Sequence, residues 1–274
     1  MINLLYAGND RVFDGLLFSL VSLTKHTKEP IHAFILTMDL TNQNKDWKPI
    51  SKRQIDVISD VIKKANPQNT IETIDVTEMY LSKLDGGANS KNTFTPYAML
   101  RLFAPELKEL NNINKILYLD ADTIINNDIS VLYNEDISNF EAGVVRDILP
   151  RNRWYFHNYF NSGMMLINLT KVRETKAFEK SVELSYTKKM FFTDQDALNK
   201  NIKKRKMLNY KYNWFRKHCK YYDDIVVHHF CDARNVDNKK ERIKPWHTEK
   251  FLRAFPMYSS LVSEVQDIKK QNNL

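Results

Sequence analysis

A chain of 274 residues with 43% apolar content and a formal net charge of +8 is long enough to bury one large core or two small ones. It holds no uncharged apolar window of the ~20 residues that a bilayer-crossing helix needs, and Asn9 and Asp10 interrupt its start before a signal-peptide apolar block could form, so a cytoplasmic protein is expected. Two cysteines, Cys219 and Cys231, are too few for a disulfide framework and lack CxxC spacing.

The N-terminal half alternates short apolar runs with amphipathic stretches. Residues 2–8 (INLLYAG) read as a buried strand closed by the turn-like Gly8-Asn9-Asp10. Residues 13–26 carry helical spacing at Leu16, Leu17, Leu20 and Leu23. A second strand is predicted at 31–38, a helix at 51–65 and a strand at 71–76. Thr95-Pro96 predicts an N-cap with proline at the first helical position, and Pro105 marks the far end. Another buried strand follows at 113–119. Strands alternating with helices imply βαβ units and a mostly parallel sheet. Beyond residue 140, strands are predicted at 141–145, 164–169 and 225–227, helices at 171–190 and 194–204, and a helical tail at 251–274. No linker, repeat or low-complexity tract divides the chain. The expected organisation is one α/β domain, 1–247, and a small C-terminal helical tail, 248–274.

The positive charge suits an anionic partner. It concentrates in KNIKKRKMLNYKYNWFRKHCKYY (200–222), where Lys and Arg alternate with aromatics. The plain reading is a solvated basic face; the alternative is docking to an anionic membrane surface through 200–220, at the inner membrane face. No nucleic-acid motif accompanies the stretch, so no nucleic acid is expected.

The segment KILYLDADTII (115–125) places Asp120 and Asp122 at the end of an apolar run. In an extended chain residues i and i+2 share a side, and open α/β sheets bind ligands at the carboxyl ends of their strands. Two adjacent carboxylates repel unless a positive group lies between them. A hard divalent cation, Mg²⁺ or Mn²⁺, favours such oxygens and shares them with substrate phosphates. Other readings stay open. Both acids could be turn and capping residues before Asn126-Asn127. An EF-hand fits poorly, since no glycine stands at loop position six. The run followed by DxDxT also resembles the first motif of haloacid-dehalogenase-type phosphotransferases, with Asp120 as phosphoryl acceptor.

Taken in order along the chain, the motifs resemble family 8 glycosyltransferases, retaining enzymes of the GT-A (Rossmann-like) fold. The resemblance runs from about residue 2 to about 247. It implies a mostly parallel central sheet flanked by helices, a UDP-sugar donor with galactose or glucose, Mn²⁺ or Mg²⁺ as cofactor, and a glycan, glycolipid or glycoprotein acceptor. In YAGND (6–10), Ala7 and Asn9 would contact the donor base, and Asp10 with Arg11 the ribose or sugar. In AMLRLFAPEL (98–107), Arg101 would reach the donor sugar or diphosphate. Asp120 and Asp122 match the DxD metal motif, Asp120 also touching ribose. GVVRD (143–147) would place Asp147 beside the sugar and acceptor. YFNSGMMLINL (159–169) would supply Asn161 to the donor sugar, with Gly163 permitting close backbone approach.

In TDQDALN (193–199), Thr193 and Asp196 fit a capping box; by resemblance Asp194 orients sugar hydroxyls and Gln195 lies under the anomeric carbon. In VVHHFCDARNVDNKKERIKPW (226–246), His229 would be the third metal ligand and Lys244 a diphosphate contact, with Trp246 packed behind. Two departures stand out: Asp232 replaces the usual glycine, and the His-to-Lys spacing is longer by about nine residues. His228, Lys239 and Lys240 are alternative donors of those roles. The resemblance thus makes Gln195, Asp194 and Asp147 the candidate catalytic residues.

Overall fold

The computed structural model describes residues 1–90, 95–147, 158–215, 224–236 and 239–274, with backbone alone at 234–236, 239 and 240. The chain opens with β1 (Ile2–Ala7), α1 (Phe13–His26), β2 (Ile31–Thr37), α2 (Lys52–Ala65), β3 (Thr70–Asp75) and α3 (Thr77–Lys83). The predicted α1 is reproduced in full because its leucines form one buried stripe. Ser51 caps α2 as half of a capping box with Gln54.

The segment Pro96–Glu106 departs from expectation. It winds as a 3₁₀ helix, Thr95 makes no side-chain cap, and Pro105 lies inside it. Pro105, which has no N–H to donate, stands next to the last residue of the segment, where the winding ends. Then come β4 (Lys115–Leu119), β5 (Thr123–Ile125), α4 (Ser130–Tyr133), β6 (Ala142–Arg146) and β7 (Phe160–Asn168). The helix predicted at 171–190 is two helices, α5 (Leu169–Thr175) and α6 (Ala177–Thr187), broken where Lys176 takes a left-handed φ of 56°. After α7 (Thr193–Asn201) and β8 (Arg205–Met207) the chain adds β9 (Val227–His229), β10 (Ala233–Val236), β11 (Lys239–Arg242), α8 (Thr248–Ala254) and α9 (Ser259–Gln271).

The central sheet has seven strands in the order β3-β2-β1-β4-β7-β6-β8, with β7 alone running against its neighbours. Successive strand residues face opposite sides, and both sides are covered. Leu4, Tyr6, Leu117 and Leu119 pack with α1 and with Phe251, Val262 and Val265 of the last two helices. Leu5, Ile116 and Tyr118 pack with Phe103 and Phe178. The C-terminal helices therefore share the first core. Two small sheets sit beside the large one: β5 pairs with β9, and β10 with β11.

Candidate active site

Asp120 follows the last residue of β4, and its backbone N–H donates to Gly163 O on β7 at 2.8 Å. The two aspartates lie in the turn between β4 and β5, not on an extended strand. Their convergence comes from the next ladder: β5 pairs with β9 so that Thr123 faces His229, and Phe230 N–H donates to Asp122 O at 2.9 Å. His229 Nε2 is thereby set 3.5 Å from Asp120 Oδ2 and 3.2 Å from Asp122 Oδ1. Ligand atoms of all three residues lie within 4.8 Å of one another, the one such group among the described residues.

The donor set fits a divalent ion. His229 Nε2 is buried and makes no hydrogen bond, while Nδ1 is held by Asn213 Oδ1 at 3.0 Å. A buried ring nitrogen left over and aimed at two carboxylates is the pattern of a ligand, and two oxygens with one imidazole suit Mn²⁺. Gly163 makes this approach possible. A Cβ there would stand 2.2 Å from His229 Cε1 and 2.6 Å from Asp120 Oδ2, so the space a side chain would take belongs to the putting-together of His229 and Asp120.

Around the triad, cations hold the acids. Lys244 Nζ binds Asp122 Oδ2 and also donates to Phe230 O at 3.0 Å. Burial pushes the Asp122 carboxyl up, but Lys244 and His229 outweigh it and hold the group well below the usual carboxylate range. Burial likewise lowers His229, yet its neighbours Cys231 and Asp122 raise it well above the ordinary histidine value. Arg101 is buried. It donates Nη2 to Asp120 Oδ1 at 2.9 Å, Nε toward Asp194 Oδ2 at 3.2 Å, and Nη1 to Ser162 O at 2.6 Å. Its guanidinium lies 4.2 Å over the Tyr118 ring, whose hydroxyl donates to the same Asp120 oxygen at 2.7 Å.

The opposite wall comes from α7. Gln195 Nε2 donates to Asp147 Oδ2 at 3.1 Å and to Tyr159 Oη at 3.2 Å. Its Oε1 accepts from Ser162 N–H at 3.0 Å and Asn161 Nδ2 at 3.3 Å. Burial raises the Asp194 carboxyl, against the pull of Arg101. The capping box expected here is only half formed. Asp196 Oδ2 accepts from the Phe192 N–H at 2.9 Å, but Thr193 sits inside the helix at φ 40° and its hydroxyl turns to Asp194. Phe192 is the N-cap.

Arg101, Asp120, Asp122, Asp147, Asn161, Asp194, Gln195, His229 and Lys244 all line one cavity of about 350 Å³, and Asp232 lines it too. Ala7, Asn9 and Asp10 are not among its lining residues. They lie at the end of β1, which pairs with β4 through Leu5 and Tyr118, a register that puts Ala7 level with Asp120. Asn9 is buried and donates to Asp46 O at 3.3 Å; one carboxylate oxygen of Asp10 is buried without a hydrogen bond. Trp246 packs beside Gly15 of α1. His228 is no substitute ligand: it points away into an aromatic cluster, 2.8 Å from Tyr258 Oη and 4.0 Å between ring centres from Phe230. The Lys239 and Lys240 side chains, and Cys219, lie outside the described residues.

A family model described as glycosyl transferase family 8 matches residues 3–250. The chain belongs to this family. A family 8 identity sets aside the phosphotransferase reading of Asp120. Among relatives, a candidate glycosyltransferase of Haemophilus influenzae is 29% identical over 262 residues, covering 87% of this chain and 74% of its own. The lipopolysaccharide 1,2-glucosyltransferase of Escherichia coli K12 is 32% identical over 114 residues, which is 38% of this chain and 33% of that protein. The galactosyltransferase LgtC, solved with donor and acceptor sugar analogs, superposes with a TM-score of 0.74 at 21% identity over 96% of each chain. The family 8 chain thus has the GT-A fold.

Sequence reasoning missed Tyr118, Tyr159, Ser162 and Asn213. Each is a common residue type whose part in the site shows only in the contacts it makes in the fold. No helix among the described residues is long and apolar enough to cross a membrane. Within the basic stretch, Lys206 pairs with Glu135 and Lys211 with Asp224, and Arg205 donates to Asn199; residues 216–223 lie outside the described set.

Proposed function

We propose that the chain is a retaining hexosyltransferase, moving galactose or glucose from a UDP-sugar to a hydroxyl of a glycan, glycolipid or glycoprotein, with a divalent ion at Asp120, Asp122 and His229. The observation that carries this reading is the buried Nε2 of His229, unbonded and aimed at two carboxylates, within the same cavity as Gln195. Asp120, Asp122 and His229 would hold the ion, which when bound would supply positive charge for the donor diphosphate. Lys244, beside Asp122, adds a second cation on that side. Arg101 acts behind them by orienting Asp120 and Asp194, to which its guanidinium is committed. Ala7, Asn9 and Asp10 serve the nucleoside end, and Asn161 and Asp194 the sugar.

Retention is the outcome that family 8 membership favours, and Gln195 bears on the route to it. Double displacement needs a nucleophile at the anomeric carbon. An amide is a poor one, and both ends of this amide are hydrogen-bonded. Asp194 is tied to Arg101, and Asp147 receives the Gln195 amide. The acceptor hydroxyl therefore attacks from the face that the diphosphate leaves: its oxygen bonds to the anomeric carbon, the carbon–phosphate oxygen bond breaks, and the departing phosphate takes the proton. Trapping of a glycosyl group on Asp194 or Asp147 would refute this route.

Thermal melting with UDP, Mn²⁺ and both tests the site itself. A ligand specific to the native state adds ~2.7 kcal/mol at a hundredfold excess over its Kd. The pair is expected to raise the melting point beyond either alone, and Asp122→Asn to abolish that synergy while still folding. An additive response in the parent chain would sink the reading. Hydrolysis of a panel of UDP-sugars then selects the hexose.

A further inference from the structure

Asn213 is fully buried within a stretch that reads from sequence as basic surface, and its position follows from β9. Trp214 N–H donates to Val227 O and His229 N–H to Trp214 O, at 2.9 and 2.8 Å, which brings the residue before Trp214 alongside the His229 ring. The orientation of its carboxamide is fixed, through two intervening side chains, by the backbone N–H groups of Ser162 and Gly163, far back in the chain.

Pairing of β6 with β7 slips between Val144, opposite Met165, and Val145, opposite Asn161. Such a bulge takes backbone groups out of the ladder and aims them at side chains. Here Ser162 N–H donates to Gln195 Oε1, and Gly163 N–H donates to Asn161 Oδ1, both at 3.0 Å. A backbone N–H only donates, so both side-chain atoms are oxygens, and the Asn161 and Gln195 amides each have one orientation. Asn161 Oδ1 also faces Asn213 at 3.0 Å, so the Asn213 atom there is the nitrogen. The Asn213 atom 3.0 Å from His229 Nδ1 is then the oxygen. An oxygen acceptor requires a hydrogen on Nδ1, so Nε2, between Asp120 and Asp122, is the nitrogen left to serve an ion, giving up to it any proton shared with those carboxylates. In the other direction Asn161 Nδ2 donates to Gln195 Oε1, and Gln195 Nε2 to Asp147.

We propose that Asn213 is a positioning residue of the metal site: oriented through Asn161 by the Gly163 N–H, it holds His229 in the Nδ1–H form that presents Nε2 to the ion, and the same relay joins that histidine to Gln195 under the donor sugar. This rests on the reading of Asp120, Asp122 and His229 as metal ligands. Groups one step beyond a ligand characteristically change metal affinity tenfold to a hundredfold when removed. The relay also reaches Gln195 through Asn161, so a break at the Asn161 step acts on use of the sugar while the Asn213–His229 contact still serves the metal.

Two variants divide the roles. Asn213→Leu removes both hydrogen bonds. Asn213→Asp keeps an acceptor for Nδ1–H but faces Asn161 Oδ1 with a second oxygen. With UDP saturating, Mn²⁺ affinity is read from the paramagnetic resonance of the free ion, and kcat and KM from UDP-sugar hydrolysis. Asn213→Leu is expected to raise the Mn²⁺ Kd by roughly tenfold to a hundredfold. Asn213→Asp is expected to hold Kd near the parent value while kcat falls. An unchanged Kd in Asn213→Leu, or equal weakening in both variants, overturns the proposal, since packing alone predicts the latter. Failure of the parent to take up Mn²⁺ overturns the underlying site, and is recognised because it precedes any substitution. If neither variant folds, ¹⁵N-histidine spectra of the parent with Mg²⁺ and UDP decide directly: a hydrogen on Nδ1 of His229 supports the relay, and one on Nε2 refutes it.

Discussion

At position 163 a methyl group would have no room, and the reason is chemical as well as steric. The atoms it would meet are the His229 ring and an Asp120 oxygen, both candidate ligands, so Gly163→Ala is expected to displace the metal site before it disturbs the fold. Overpacking a buried position costs typically about 1–3 kcal/mol; the melting shift with Mn²⁺ plus UDP should disappear while the variant still unfolds cooperatively. Arg101 poses the converse case. It is 4% exposed and balances two carboxylates from distant parts of the chain, Asp120 and Asp194. Arg101→Met leaves the buried Asp194 without its cation, and breaking a buried pair in this way costs about 3–5 kcal/mol, measured as a fall in urea midpoint. An undiminished midpoint would show that Arg101 does not hold these acids. The ordered motif AMLRLFAPEL marked Arg101 as part of a site, but its burial was illegible, because the acids that require it stand 19 and 93 residues further along the sequence.

At the scale of elements, the sequence carried most where pattern and packing agree. The leucine stripe of α1 and the Ser51–Gln54 box of α2 mark those helices at the right residues. It misled where the backbone does something its side chains do not advertise. Lys176 breaks the predicted helix 171–190 in a left-handed conformation that glycine usually supplies. An L-residue there carries ~1–2 kcal/mol of steric cost. Lys176→Gly should therefore stabilise the chain by about 0.5–1 kcal/mol after the loss of its exposed pairing with Glu179, which contributes little. Chemical denaturation checks the sign, and a destabilised Lys176→Gly would mean that the lysine side chain holds the α5–α6 corner. The same limit hid the bulge of β7. A strand read from the apolar run 164–169 starts at Phe160 in the fold, and the three residues skipped opposite Val144 and Val145 include the two N–H groups that orient Asn161 and Gln195.

For the molecule as a whole, the candidate site is a place where residues from seven elements or their ends meet, and the sequence announced it through the order of its motifs, not through any one of them. Away from the cavity, two lysines of the basic stretch are paired with carboxylates, Lys206 with Glu135 and Lys211 with Asp224. Glu135 illustrates the consequence for stability. It accepts from Lys206 Nζ at 2.8 Å and Tyr212 Oη at 3.2 Å, joining α4 to β8 and the turn before Asn213. The Lys206 hydrogen bond, followed by partial burial acting upward and the Tyr212 bond acting downward, holds this carboxyl below its ordinary 4.5. A carboxyl depressed in the folded state binds its proton first in the unfolded chain, so its contribution is complete above pH 4.5 and drains as the pH falls through the folded value. Glu135→Gln cannot titrate. Relative to the parent it should be less stable at pH 7, and the gap in urea midpoint should close progressively below pH 4.5, other groups cancelling in the comparison. A gap that stays constant from pH 7 to pH 3 would show that the brace is steric and owes nothing to charge.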